Sequence, residues 1–170
     1  MIINGDHILI IGDTKTGKTT FAKELVKDIN CTNIIWIDFI RTSNEEISNL
    51  YIQNKLVQSI IIFDNYYLSQ NAKPVQLFRQ NKLHTTIHIM DFGGRINFNL
   101  YDIIFFSKTL EQDTINLILN NLPASVSFDG IYNFMRGLNR YGFLYKRINK
   151  PEYLLLKDGK ISHKRKFNIL

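Results

Sequence analysis

The octapeptide Gly12-Asp13-Thr14-Lys15-Thr16-Gly17-Lys18-Thr19 constrains this chain more than any other feature. Two glycines bracket four residues, lysine and a hydroxyl residue follow, and both flanks fit. An apolar run (7–11) precedes the motif, and in residues 19–29 Phe21, Ala22, Leu25, Val26 and Ile29 recur at helical spacing. A glycine-bounded turn between a strand and a helix makes successive backbone N–H groups converge, and the helix aims its positive end at the same place. Gly12 and Gly17 are expected to let the backbone turn. Lys18 then reaches β- and γ-phosphate oxygens, and the Thr19 hydroxyl is a ligand for Mg²⁺. Asp13, Thr14, Lys15, Thr16 and Thr20 complete the expected cradle. The ligand class this predicts is a nucleoside triphosphate with Mg²⁺, ATP first among them.

The rest of the chain reads as alternation. Strands are predicted at 7–11, 34–39, 59–64, 86–90, 102–106 and, last, 141–146. Helices are predicted at 19–29, 44–58, 75–81, 111–120 and 128–138, with Ser43 or Asn44 capping the second. Residues 59–64 (Ser-Ile-Ile-Ile-Phe-Asp) are apolar on both faces, as a central parallel strand must be. Short two-sided strands alternating with helices indicate an α/β fold with a mostly parallel sheet covered on both faces. With the phosphate loop, this predicts a three-layer P-loop NTPase sandwich of the RecA/ASCE-like kind. Residues 1–150 form the expected ATPase domain, and 151–170 a basic C-terminal extension.

Composition removes other classes. At 170 residues the chain fits one domain and can bury a core without staples, and its single cysteine, Cys31, cannot form an internal bridge. No apolar run approaches the roughly 20 residues of a membrane span, and the first residues lack the charged-then-apolar order of a secretory leader. A chain that is not secreted is expected. Charge is unevenly spread: from Arg136 to Leu170 there are ten Lys/Arg against two acids, a net of +8, while the first 135 residues hold 11 against 13, a net of −2, so the net charge of +6 comes from the last fifth. Such asymmetry suggests a surface that faces a polyanion.

A phosphate loop needs a second metal-organising carboxylate at the end of a neighbouring strand, and Asp64 closes 59–64 in that way. The next position often carries an acid where water is the nucleophile; here it is Asn65. An amide can orient a water but cannot take its proton. Asp38 and Asp91, each at a predicted strand end, are the possible substitutes. A GTPase would show Asn-Lys-x-Asp, and the nearest string, Asn81-Lys82-Leu83-His84, lacks the acid. A small-molecule phosphotransferase, such as a nucleoside kinase, would need an arginine-rich lid, and no short arginine cluster lies between the fourth and fifth strands. A module that binds nucleotide with little turnover also fits, with Asn65 in its favour.

Beyond the fourth strand, Arg95-Ile96-Asn97 leads into Tyr101-Asp102-Ile103-Ile104-Phe105-Phe106, and Leu138-Asn139-Arg140-Tyr141-Gly142-Phe143-Leu144-Tyr145 closes the region. This layout resembles the FtsK/HerA superfamily. More narrowly, it resembles the genome-packaging ATPases of large DNA viruses and of tailless, membrane-containing viruses. Asp91 stands where that family usually has a sensor glutamine, Asn65 where it has the catalytic acid, and Lys15 replaces a common loop glycine. The resemblance implies ATP hydrolysis coupled to translocation of double-stranded DNA into a capsid. It also implies a ring-shaped homo-oligomer with capsid proteins as partners, in the host cytoplasm or at the site of virion assembly. Arg95 would act in trans as an arginine finger, neutralising charge that grows on the γ-phosphoryl oxygens, with Arg79 the alternative. The basic C-terminal region would meet DNA phosphates without reading sequence.

Other tempting residues have plainer readings. Tyr66 and Tyr67 could stack on bases but are expected to pack under a loop. His84 and His88, four apart, would suit a metal only on a helix, and they straddle the start of a predicted strand. Cys31 has no histidine partner placed by sequence, and Trp36 is expected in the core.

Overall fold

The computed structural model describes residues 5–27, 29, 31–66, 73–92, 96–122, 126–139, 142–148, 153–157 and 160–165, the last two segments as backbone only. Five parallel strands form the heart of the sheet, β1 (His7–Gly12), β2 (Ile34–Asp38), β3 (Ser59–Asp64), β4 (His84–Asp91) and β5 (Ile103–Ser107). Three antiparallel strands follow, β6 (Phe143–Arg147), β7 (Tyr153–Lys157) and β8 (Lys160–Arg165). Their spatial order is β2-β3-β4-β1-β5-β6-β7-β8. The helices are α1 (Lys18–Lys27), α2 (Asn44–Asn54), α3 (Lys73–Gln80), α4 (Gln112–Leu119) and α5 (Phe128–Gly137).

The period-2 alternation of β1 divides the core into two layers. Ile8 and Ile10 pack with Phe21, Ala22 and Val26 of α1. Leu9 and Ile11 face the opposite cluster, where Ile47 of α2, Val75 and Phe78 of α3, Ile115 and Ile118 of α4, and Ile131 and Met135 of α5 converge. Among the described residues one α-helix covers one face and four cover the other. The three-layer sandwich expected from the sequence is the fold observed, and it puts the C-terminal ends of all five parallel strands along one edge of the sheet.

Element bounds shift where local polar bonds intervene. α2 begins at the N-cap Ser43, whose hydroxyl accepts from the Glu46 N–H while Glu46 accepts from the Ser43 N–H, a reciprocal capping box. It stops at Asn54, short of the predicted 58. There the Asn54 carboxamide donates to the Leu50 carbonyl and accepts from Asn33, and the chain turns toward β3. The sequence reading ended its strands at 146; β7 and β8 lie beyond, in the segment read as a basic extension, and continue the sheet. β7 holds the apolar run Tyr153-Leu154-Leu155-Leu156 within a segment rich in lysine and arginine. Among the described residues no helix is long and apolar enough to cross a membrane.

Candidate functional site

The loop between β1 and α1 turns sharply for two different reasons. Gly17 sits at φ 84°, a left-handed conformation that glycine enters without cost. Gly12 has no such φ; it needs its missing side chain for space, because a Cβ there would stand 1.5 Å from Ser107 Oγ. The expectation that both glycines serve the backbone turn is corrected at Gly12: it answers to close approach from β5. Lys15, at φ 65°, also holds a left-handed conformation, the region that favours glycine. Within the loop, the Thr16 hydroxyl and N–H both donate to the Asp13 carbonyl, at 2.7 and 3.4 Å. The first turn of α1 carries no acidic residue, which leaves its positive end free for an anion.

Two strand ends, those of β3 and β4, meet this loop in a cleft of about 340 Å³. Thr14, Lys15, Gly17, Lys18, Thr19 and Thr20 line it from the loop, Asp64, Asn65 and Tyr66 from the end of β3, and Ile89, Met90 and Asp91 from β4. The register sets this up. Gly12 is the partner of Asp91 across β1 and β4, and Asp38 is the partner of Asp64 across β2 and β3. β4 therefore separates the strand that carries the loop from the strand that carries Asp64. A glycine-bounded loop between strand and helix, at the carboxyl edge of a parallel sheet in the order β2-β3-β4-β1-β5, decides the architecture. This is a P-loop NTPase fold.

Within the P-loop, the Thr19 hydroxyl stands 3.4 and 3.3 Å from the two oxygens of Asp64. A hydroxyl and a carboxylate so placed are hard oxygen donors of the sort Mg²⁺ takes when it keeps several waters and binds phosphate as well. Thr19 and Asp64 fit that ion and would hold it between them; when bound, it would draw charge from the phosphate oxygens. Lys18, nearly buried, donates to the carbonyls of Gly12 and Asp13 at 3.1 and 2.6 Å and pairs with Asp91 Oδ1 at 2.6 Å. Asp91 Oδ2 accepts from Thr14 at 3.0 Å.

Asn65 lies at φ 54°, a conformation that asparagine tolerates better than most residues. Its amide donates to Asp38 Oδ1 at 3.1 Å. Asp38 also accepts from the Ile40 N–H and pairs with Arg41 at 3.4 Å. The structure thus places Asp38 in a turn network beside β3, and it does not line the cleft. Asp13 has its carboxyl pushed up, by burial first and then by the negative charge of Glu111.

Arg95, Arg140 and Tyr67 lie outside the described residues. Arg79 is folded back on its own chain: its guanidinium lies 5.2 Å from the Tyr101 ring centroid and donates to the Leu100 carbonyl. His84 and His88 both sit on β4 and are fully buried. His88 Nδ1 meets the Tyr101 hydroxyl at 3.0 Å, Tyr66 packs on its ring, and burial holds the imidazole well below the ordinary histidine range, with Arg79 adding to the effect. No cluster of three or more His, Cys, Asp or Glu that could hold a metal occurs among the described residues. Trp36 is only partly buried, with Lys23 5.6 Å from its ring, and Cys31 packs against the α1 layer.

Among the basic residues of the last fifth whose side chains are described, Lys146 is buried and Arg147 pairs with Asp6 at 2.8 Å, so both turn inward. Sequence reasoning missed Ser107, the residue that excludes a side chain at Gly12. It also missed Thr109 and Glu111 as neighbours of Asp13. A polar residue ending the apolar run of β5 was the available signal for Ser107.

No protein-family model and no curated protein matches this sequence. Similar solved structures include PCH-2 of C. elegans, 12% identical, with a TM-score of 0.46 over 74% of this chain and 43% of that one. Another is a STAND (Signal Transduction ATPase with Numerous Domains) protein with a tetratricopeptide repeat sensor from Pyrococcus horikoshii. It is 14% identical, with a TM-score of 0.37 over 77% of this chain and 25% of that one. The chain spans less than half the length of either, and the fold assignment rests on strand order and loop geometry.

Proposed function

We propose that this protein binds a Mg-nucleoside triphosphate, ATP foremost, and hydrolyses its terminal phosphoanhydride. The observation that carries this reading is the convergence of Lys18, Thr19 and Asp64 on one cleft at the P-loop. Lys18 and the loop N–H groups neutralise the phosphates, and Thr19 and Asp64 hold the metal. The finer part of the proposal couples turnover to double-stranded DNA, in a ring-shaped assembly of this chain that works with capsid proteins. It is supported by the excess of Lys and Arg over acids after residue 135, and by the layout from Arg95 to Phe106. Arg95 acts in trans in that reading.

The test is ATP turnover with and without long duplex DNA at low salt, where phosphate contacts are strongest. Turnover that rises with DNA and is lost in Lys18→Ala supports the whole proposal. Turnover indifferent to DNA removes the coupling and leaves the ATPase. A second reading, a nucleotide-binding subunit with little turnover, is favoured by the commitment of Asn65 to Asp38. Tight Mg-ATP binding with no turnover, with or without DNA, would select it.

A further inference from the structure

The Lys18 ammonium has three N–H bonds to give. It has three acceptors within the chain: the Gly12 carbonyl at 3.1 Å, the Asp13 carbonyl at 2.6 Å and Asp91 Oδ1 at 2.6 Å. A phosphate oxygen can reach this lysine only by displacing one of them. The two carbonyls belong to the loop itself and cannot leave without undoing it. Asp91 can leave. Its side chain is 47% exposed, against 8% for Lys18. Its backbone is held by pairing with Gly12 and by the Phe92 N–H, which donates to the Gly12 carbonyl at 3.2 Å. Only the carboxylate is free to swing.

The carboxylate also does more than pair with one cation. Its second oxygen accepts from the Thr14 hydroxyl at 3.0 Å, so one anionic group spans the loop's lysine and a loop hydroxyl. Two negative oxygens shared between those donors copy what a phosphoryl group asks of the same loop. We propose that Asp91 is an internal competitor for the triphosphate: it occupies Lys18 and Thr14 in the empty P-loop, must be displaced for nucleotide to bind, and so sets the affinity of the site. This rests on the nucleotide-binding reading above. Asp91 acts through Lys18 and is a positioning residue. Once displaced, its charge stands beside the bound phosphates and favours release, so binding is weakened from both directions.

The test is titration of a fluorescent ATP analogue with Mg²⁺ into the wild-type protein, Asp91→Asn and Lys18→Ala, at about 0.1 M and about 1 M salt. Asn keeps the shape of Asp91 and removes its charge. Asp91→Asn is expected to tighten Kd by about 1.5- to 5-fold, the range of a solvent-accessible ion pair. The gain should persist at high salt. A contact pair is screened little, whereas repulsion at a distance fades as the Debye length falls from about 10 Å to about 3 Å. Asp91→Ser, checked for folding by its melting curve, should tighten Kd in the same direction.

Unchanged or weaker binding in both variants, with wild type binding and Lys18→Ala not, overturns the competitor and leaves the nucleotide reading standing. A gain that vanishes at high salt overturns it too, in favour of plain repulsion. Failure of both wild type and Asp91→Asn to bind, or Lys18→Ala binding as well as wild type, overturns the nucleotide reading and the competitor with it.

Discussion

Gly12 and Gly17 look alike in the motif and differ in the fold, and the difference can be measured. A methyl group at Gly12 would lie 1.5 Å from Ser107 Oγ and 2.5 Å from Ser107 Cβ, so β5 must shift to admit it. Gly12→Ala should cost about 1–3 kcal/mol in a urea unfolding curve, as overpacking does. Adding Ser107→Gly should recover most of that loss; no recovery would show that another contact is responsible. Asn65 carries a related prediction. Its left-handed φ and its bond to Asp38 make Asn65→Glu a destabilising change of about 1–2 kcal/mol. That variant is not expected to create a working base, and faster ATP turnover in it would contradict this. The residue types of the P-loop were legible because phosphate chemistry admits few alternatives. The partners of Asn65 and Gly12 were not, because Asp38 and Ser107 lie 27 and 95 positions away in the chain.

At the scale of elements, periodicity carried the reading where one face was apolar, and failed where polar bonds or charge intervened. The capping box of α2 gives a direct check. Ser43→Ala removes the bond to the Glu46 N–H and should cost about 1 kcal/mol in thermal or chemical unfolding. Glu46→Ala should add little to it, since the two bonds brace the same turn; full additivity would mean that they act independently. Five helices and the parallel strands were visible as alternating apolar runs. β7 and β8 were missed because their lysines and arginines dominated the count, while the apolar residues of β7 follow one another without a polar partner pattern.

At the scale of the molecule, strand order was not legible, since nothing local says that β4 inserts between β1 and β3. The same layering buries His88 in a neutral state, and this has a consequence for pH. Unfolded, His88 takes a proton near its ordinary 6.5; folded, it resists until well below that. The unfolded chain therefore binds more protons as pH falls through 6.5, and stability declines on the acid side while staying flat above. His7, also lowered by burial, contributes in the same sense. His88→Gln should flatten the acid limb of a plot of unfolding free energy against pH. An unchanged limb would show that His88 is not its source.

The position of β1 has a bearing on how this protein is made. β1 precedes β4 and β5 in the chain, yet it is flanked in the sheet by both, and β5 ends only at Ser107. While the chain is being translated, the P-loop thus waits with both sides of its strand unpaired until the 95 positions from Gly12 to Ser107 have been made. Its nearest strand neighbours are not its neighbours in time, and long-range pairing of this sort is slow and leaves apolar edges open to misassociation. On the proposed function, nucleotide capture waits for β5, and a nascent chain halted before β5 should neither bind ATP nor be stabilised by it.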